Sequence, residues 1–190
     1  KAIRLFNRAG LHNITKHCAA TGGVFLNPEY YLNAARIGIG LYGLWPSQEL
    51  EMELGKKIKL RPALSWRTVV ADVKKVKAGD YVGYDMSERA RSDGKIAVLP
   101  VGYWHGFSRA LSGIGEVIMN GKKAKVLGRV SMDLLVVDAS RIKCKHGDIV
   151  TLIGKADGVE ISAEDIAQRS GTTHYEFLTR LNPLMERILI

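Results

Sequence analysis

Four short stretches hold residue types able to do chemistry. The first, Arg36-Ile37-Gly38-Ile39-Gly40-Leu41-Tyr42-Gly43, sets three glycines within eight residues. Glycine weakens the interior of a strand, so this density marks a backbone that must approach something closely. Free N–H groups at such a turn form an anion-binding concavity, and Arg36 beside it adds a fixed cation, which suits a phosphate. The second, Gly102-Tyr103-Trp104-His105-Gly106-Phe107-Ser108-Arg109, follows an apolar run. Tyr103 therefore stands where a strand gives way to a loop, a usual place for functional side chains. A tyrosine can give or take a proton where a neighbouring cation favours its ionised form. The third, Gly128-Arg129-Val130-Ser131-Met132-Asp133, puts Arg129 and Asp133 four apart across a strand end, a spacing open to a fixed polar pair. The fourth is Tyr175, expected in the first turn of a helix, whose N-terminus attracts anions. Each stretch also has an ordinary reading: a glycine-rich strand end, a half-buried aromatic, a strand ending in a turn, a packed tyrosine.

The elements that must position these residues change along the chain. Residues 14–21 read as a short strand. Asn27 and Pro28 read as the cap and first position of a helix running through residues 30–35. Residues 36–43 read as another strand, and Pro46-Ser47 as the start of a linker. Strand, helix, strand is the grammar of a parallel α/β layer. From about residue 60 the pattern turns to strands: 68–76, an apolar run at 96–101, 134–137 and 149–153. Asn120-Gly121 sits between 116–119 and 122–126 as a tight hairpin. Turns at this spacing predict a barrel or sandwich. Ser162 and Asp165 form a capping-box signal for a helix that stops near Gly171, and Thr173 opens a second short helix.

The 190 residues are 46% hydrophobic and 25% charged, ordinary for a globular domain. The net charge is +9, but the bases are spread over turns and polar strand faces with no stacking-aromatic motif beside them. That argues against a nucleic-acid surface. Two cysteines, Cys18 and Cys144, lie far apart, which disfavours a disulfide framework or a metal site and suits a reducing cytoplasm. No apolar run approaches the roughly 20 residues of a membrane span. The start at Lys1 reads as the inside of a longer protein.

Taken in order, Arg-x-Gly-Ile-x-x-Tyr-Gly, Gly-Tyr-x-x-Gly-x-x-Arg, Gly-Arg-x-x-Met-Asp and a late Tyr-Glu resemble the alanine racemases. Residues 60–68 and Lys77-Ala-Gly-Asp-Tyr-Val-Gly-Tyr84 also fit that family. The resemblance covers about residues 14–180. It implies a mainly β chain: residues 1–50 as the last strand–helix–strand units of a (β/α)8 barrel that holds pyridoxal phosphate, and residues 55–190 as a barrel- or sandwich-like C-terminal β domain. It assigns the phosphate of that cofactor to Thr21, the backbone of Gly38 and Ile39, and the Tyr175 hydroxyl. It assigns Arg36 to the pyridine nitrogen, Tyr103 to one of two catalytic bases, and the Met132 backbone to the substrate carboxylate. The other base is a lysine that also holds the cofactor; it precedes the segment matched here, so the isolated chain is expected to be inert.

The resemblance further implies a cytoplasmic, head-to-tail homodimer acting on alanine to supply D-alanine for peptidoglycan, with no nucleic acid or membrane as partner. Thr21 stands where serine is usual, Ala20 where asparagine is frequent, Ser131 where cysteine is frequent and His105 where aspartate is usual. The last change alters the charge beside Tyr103. A racemase of other specificity (serine, lysine or several amino acids) and a non-enzymatic basic β module are the alternative readings.

Overall fold

The computed structural model describes residues 1–189. The chain divides into two compact units, Lys1–Ala63 and Leu64–Ile190.

The second unit is an antiparallel β structure. Its strands are β1 (Trp66–Val69), β2 (Asp72–Val76), β3 (Tyr81–Val82), β4 (Glu88–Arg89), β5 (Gly94–Leu99), β6 (Glu116–Met119), β7 (Lys122–Leu127), β8 (Leu135–Asp138), β9 (Ile149–Ala156) and β10 (Val159–Ile161). The main sheet runs β1-β9-β6-β7-β8-β5-β2, with β10 also on β9, while β3 and β4 form a separate hairpin. The two ends of this path, β1 and β2, are consecutive in sequence. Val70 exchanges hydrogen bonds with the β9 side, to Asp148 and from Gly147, and the Ala71 amide donates to Val98 on β5. One extended segment thus leaves one edge of the sheet and joins the other, so the sheet closes into a barrel and its edges disappear. This is why the single strand expected over 68–76 is two strands: the backbone stays extended but changes partner at Val70–Ala71, and Val70 is fully buried at the corner.

The alternation of side chains then fills the barrel. Ala97 and Leu99 on β5, Val117 on β6, Val126 on β7, Val137 on β8 and Leu152 on β9 are completely buried. The Asn120-Gly121 hairpin forms as expected, with both residues left-handed (φ 44° and 70°), the conformation a two-residue turn requires. Two helices follow, α4 (Ala163–Arg169) and α5 (His174–Thr179). Ser162 Oγ accepts from the Asp165 amide at 3.0 Å and the Asp165 carboxylate accepts from the Ser162 amide at 3.1 Å, so the capping box is complete.

The first unit departs further from expectation. It contains α1 (Ala2–Arg8), α2 (Thr21–Leu26), α3 (Gln48–Leu54) and two 3₁₀ turns, Pro28–Tyr31 and Ile39–Tyr42. The strands expected at 14–21 and 36–43 reduce to one parallel bridge, His17 with Ala34, flanked by hydrogen bonds from Asn33 N to Lys16 O and from Arg36 N to Ala19 O. Parallel pairing is stable where both faces are covered, and among the described residues few here are buried. The helix expected at 30–35 ends early. Asn27 does cap it, accepting from the Glu29 amide at 2.9 Å. Leu32 then turns left-handed (φ 54°), and the Asn33 side chain is taken by the Lys16 amide at 2.6 Å. Ser47 does not open a linker: its hydroxyl caps α3 through the Leu50 amide.

Candidate active site

In the second unit two of the singled-out motifs come together. After β5 the chain passes Gly102 and enters a 3₁₀ turn, Tyr103–His105. The Tyr103 amide donates to Ser131 O at 3.1 Å and the Trp104 amide to Met132 O at 3.0 Å. This approach needs glycine at 102, where a Cβ would lie 2.2 Å from Ser131 O. The Tyr103 loop is therefore fastened along the backbone of the Met132 segment. Among the described residues the Met132 N–H meets no acceptor, and the residue is exposed.

His105 turns inward to its own loop. Its Nδ1 accepts from the Gly102 amide at 3.2 Å, and its ring stands edge-on to Trp104 with centroids 4.9 Å apart. Asn182 closes the loop from behind, donating from Nδ2 to Trp104 O at 3.0 Å and from its amide to His105 O at 3.2 Å. Phe107, fully buried, anchors the loop in the core against Trp66, with centroids 6.2 Å apart.

Arg129 does not pair with Asp133. It binds Asp85 instead, Nη1 to Oδ2 at 2.7 Å. The chain turns sharply after Arg129, with Ser131 closing a turn onto Leu134, while the β3–β4 hairpin comes alongside and Tyr84 bridges Arg129 through the backbone. Tyr84, at the tip of this hairpin, is 66% exposed, against 42% for Tyr103. Sequence reasoning had passed over Tyr84 and Asp85 as chemistry. The only signal was the phrase Gly83-Tyr84-Asp85, and nothing in it announces Arg129, 44 residues on. Tyr175 stands in the first turn of α5, as expected. Burial pushes its phenol above the usual tyrosine range, so it stays a hydrogen-bond donor at neutral pH.

In the first unit Thr21, buried at the start of α2, accepts at Oγ1 from the Gly38 amide at 3.2 Å and the Gly40 amide at 3.4 Å. Gly40 must be glycine for this, since a Cβ would fall 2.7 Å from Thr21 Cγ2. The Ile39 amide takes no partner among the described residues. Arg36 Nη1 lies against the His17 ring. The role of His17 was not foreseen: only the His17–Ala34 register, invisible in a linear reading, sets it beside Arg36.

Comparison with known proteins gives the family. The family described as "Alanine racemase, C-terminal domain" matches residues 63–189. The alanine racemase of Leptospira interrogans (serogroup Icterohaemorrhagiae, serovar copenhageni) is 35% identical over all of this chain and 50% of its own length. The crystal structure of alanine racemase from Bacillus anthracis with bound L-Ala-P superposes with a TM-score of 0.88 at 36% identity, over 95% of this chain and 46% of that one. The alanine racemase of Bartonella henselae, with covalently bound pyridoxal phosphate, gives 0.82 at 32% identity over 99% and 51%. The chain spans about half the length of the relatives it matches. It belongs to the alanine racemase family.

Proposed function

We propose that this chain is the C-terminal part of a cytoplasmic racemase that interconverts L- and D-alanine with pyridoxal phosphate and so supplies D-alanine for peptidoglycan. In this reading the first unit is the end of the cofactor-bearing barrel and the second is the β domain. The observation that carries it is the junction of Gly102–Trp104 with Ser131–Met132, which fastens the Tyr103 turn to the segment of Met132, whose backbone amide meets no acceptor among the described residues.

The residues present fit the cofactor. Thr21 Oγ1 already accepts two amide protons, so its own proton is left to donate to a phosphate oxygen. The Ile39 amide adds a second donor, the resemblance assigns the protonated Tyr175 phenol as a third, and a Cβ at Gly38 would meet open space. Arg36 keeps its proton at all working pH values, so a pyridine nitrogen facing it stays unprotonated, and the free part of its fork remains while Nη1 meets His17. When bound, pyridoxal phosphate supplies the electron sink that makes the substrate Cα–H acidic.

Racemisation takes a proton from one face of Cα and returns one to the other. The Met132 amide holds the substrate carboxylate, which fixes which face is presented. One proton carrier is the cofactor-bearing lysine of the half that precedes this segment in its relatives. The other is a tyrosine of this chain. Resemblance gives that role to Tyr103. Tyr103 stands in the 3₁₀ turn fastened to Ser131 and Met132, so its backbone has a fixed place beside the Met132 segment.

The test is L/D-alanine exchange by the full-length protein loaded with pyridoxal phosphate, with Tyr84→Phe and Tyr103→Phe beside it. A loss of about 10²- to 10⁴-fold in Tyr103→Phe, with cofactor absorbance retained, supports the assignment. The same loss confined to Tyr84→Phe overturns the role of Tyr103. Exchange of serine or lysine in preference to alanine changes the substrate, and no exchange of any amino acid ends the racemase reading. The chain by itself, lacking the lysine, is expected to show none.

A further inference from the structure

Gly102, the residue before the Tyr103–His105 turn, is buried and extended (φ −157°, ψ −161°). Its carbonyl accepts from the His105 amide at 3.0 Å and from the Phe107 amide at 3.2 Å. Its own N–H goes to a side chain, His105 Nδ1, at 3.2 Å. A buried N–H without an acceptor is costly, so the His105 ring completes the turn that carries Tyr103.

This bond fixes the state of the imidazole. To accept at Nδ1 the ring must be neutral, with its proton on Nε2. An imidazolium has an N–H at both positions and would set one donor against another. Histidine is the side chain whose ordinary titration falls between pH 5 and 8. Among the described residues Nε2 meets no hydrogen-bond partner, and the ring stands edge-on to Trp104. The charged side chains on the segments packed against the turn are Arg180 and Glu176, paired with each other at 2.6 Å, and Asp133 beside Met132. Among the described residues none of them bonds to the imidazole.

We propose that His105 is a positioning residue: its neutral ring, by accepting from the Gly102 N–H, holds the turn from which Tyr103 projects, and protonating the ring releases that turn and slows proton transfer. The proposal rests on the reading of Tyr103 as the proton-carrying phenol. A carboxylate at 105 would accept in the same place, but it stays ionised where histidine titrates. Histidine therefore makes the placing of the phenol depend on pH.

Two variants of the full-length, cofactor-loaded protein test it. His105→Phe keeps a flat ring beside Trp104 and has no acceptor. Its kcat at pH 8 is expected to fall about fivefold, the rate equivalent of one neutral hydrogen bond, with cofactor absorbance unchanged. His105→Asp restores an acceptor and is expected to retain most of the rate at pH 8. Titrations common to both proteins cancel in the ratio of the parent's kcat to that of His105→Asp. This ratio is expected to hold steady near pH 8 and to fall several-fold by about pH 5.5. A role in packing alone leaves the ratio flat. A flat ratio, a His105→Phe variant as fast as the parent, or a His105→Asp variant as slow as His105→Phe would overturn the proposal. Amide hydrogen exchange keeps it separate from the role of Tyr103. At one fixed pH the Gly102 amide is expected to exchange faster in His105→Phe than in the parent or in His105→Asp. Unchanged exchange there removes the cap itself, whereas full activity in Tyr103→Phe removes the proton-transfer role and leaves the cap standing.

Discussion

The two units of this chain handle the same problem, unpaired backbone and exposed apolar surface, in opposite ways. The Leu64–Ile190 unit closes its sheet by letting one extended segment serve both edges, β1 pairing with β9 and β2 with β5. Its interior is filled from β1, β5, β6, β7, β8 and β9. The Lys1–Ala63 unit has a single parallel bridge, and α1 buries none of its residues. Leu5, Phe6, Leu26, Ile37 and Leu41 are exposed, Leu41 at 71%. A sheet that returns on itself needs no other segment to satisfy it, whereas a parallel layer needs neighbours on its edges and faces.

The sharpest way to break this contrast is to separate the units. Residues 64–189 expressed alone are expected to unfold in one cooperative thermal transition with near-ultraviolet ellipticity in the folded state. Residues 1–63 alone are expected to show neither, because the apolar area they bury is too small to offset the chain entropy. A cooperative transition in the smaller piece would show that its few buried residues, such as Ala19, Thr21 and Ile39, suffice. Within the larger unit, Phe107→Ala tests whether the candidate site and the barrel core are one structure. Phe107 is fully buried and lies two residues beyond the Tyr103–His105 turn. Its truncation is expected to cost about 3–5 kcal/mol in denaturant unfolding and to loosen the loop, seen as faster hydrogen exchange at the Tyr103 and Trp104 amides. Loss of stability with those amides still protected would mean that Ser131 and Met132 hold the loop without help from the core.

The same contrast explains what could be read in the sequence. In the barrel, local signals and final structure coincide. The Asn120-Gly121 pair dictates its own turn, the run at 96–101 overlaps β5 over 96–99, and the Ser162/Asp165 reciprocity is satisfied within four residues. Pairing there is antiparallel, and the β6–β7 and β9–β10 hairpins join neighbours, so short-range pattern carries those. In the first unit the β-like look of residues 14–21 and 36–43 does not become strands: hydrogen bonding there produces a bridge and a 3₁₀ turn. The site divides likewise. Glycine-rich stretches were legible because a close backbone approach leaves a mark in residue type, as Gly40 against Thr21 and Gly102 against Ser131 demonstrate. Ion-pair partners leave no such mark. Arg129 had Asp133 nearby in sequence and found Asp85 through the barrel's topology, and His17 found Arg36 only through register.

A small but clean probe of the comparison lies in the two cysteines, one in each unit. Cys18 is exposed, with its thiol donating to Tyr30 O at 3.2 Å. Cys144 is partly covered in the turn before β9, where burial and the nearby Asp148 carboxylate push its thiol above the usual range, Lys95 offsetting them only in part. Alkylation proceeds through the thiolate, and a raised pKa leaves less of it at pH 8. Cys18 is therefore expected to react with iodoacetamide several-fold faster than Cys144 in the native protein, read by peptide mass analysis over time. In denaturant the two rates should converge, since burial and the fixed distance to Asp148 vanish together. Raising the pH of the native protein should narrow the gap, because Cys144, with its raised pKa, gains thiolate over the higher range. If the gap persists at high pH, limited access through the turn, and not the charge of Asp148, protects Cys144. An Asp148→Asn variant that leaves the native gap unchanged would point the same way.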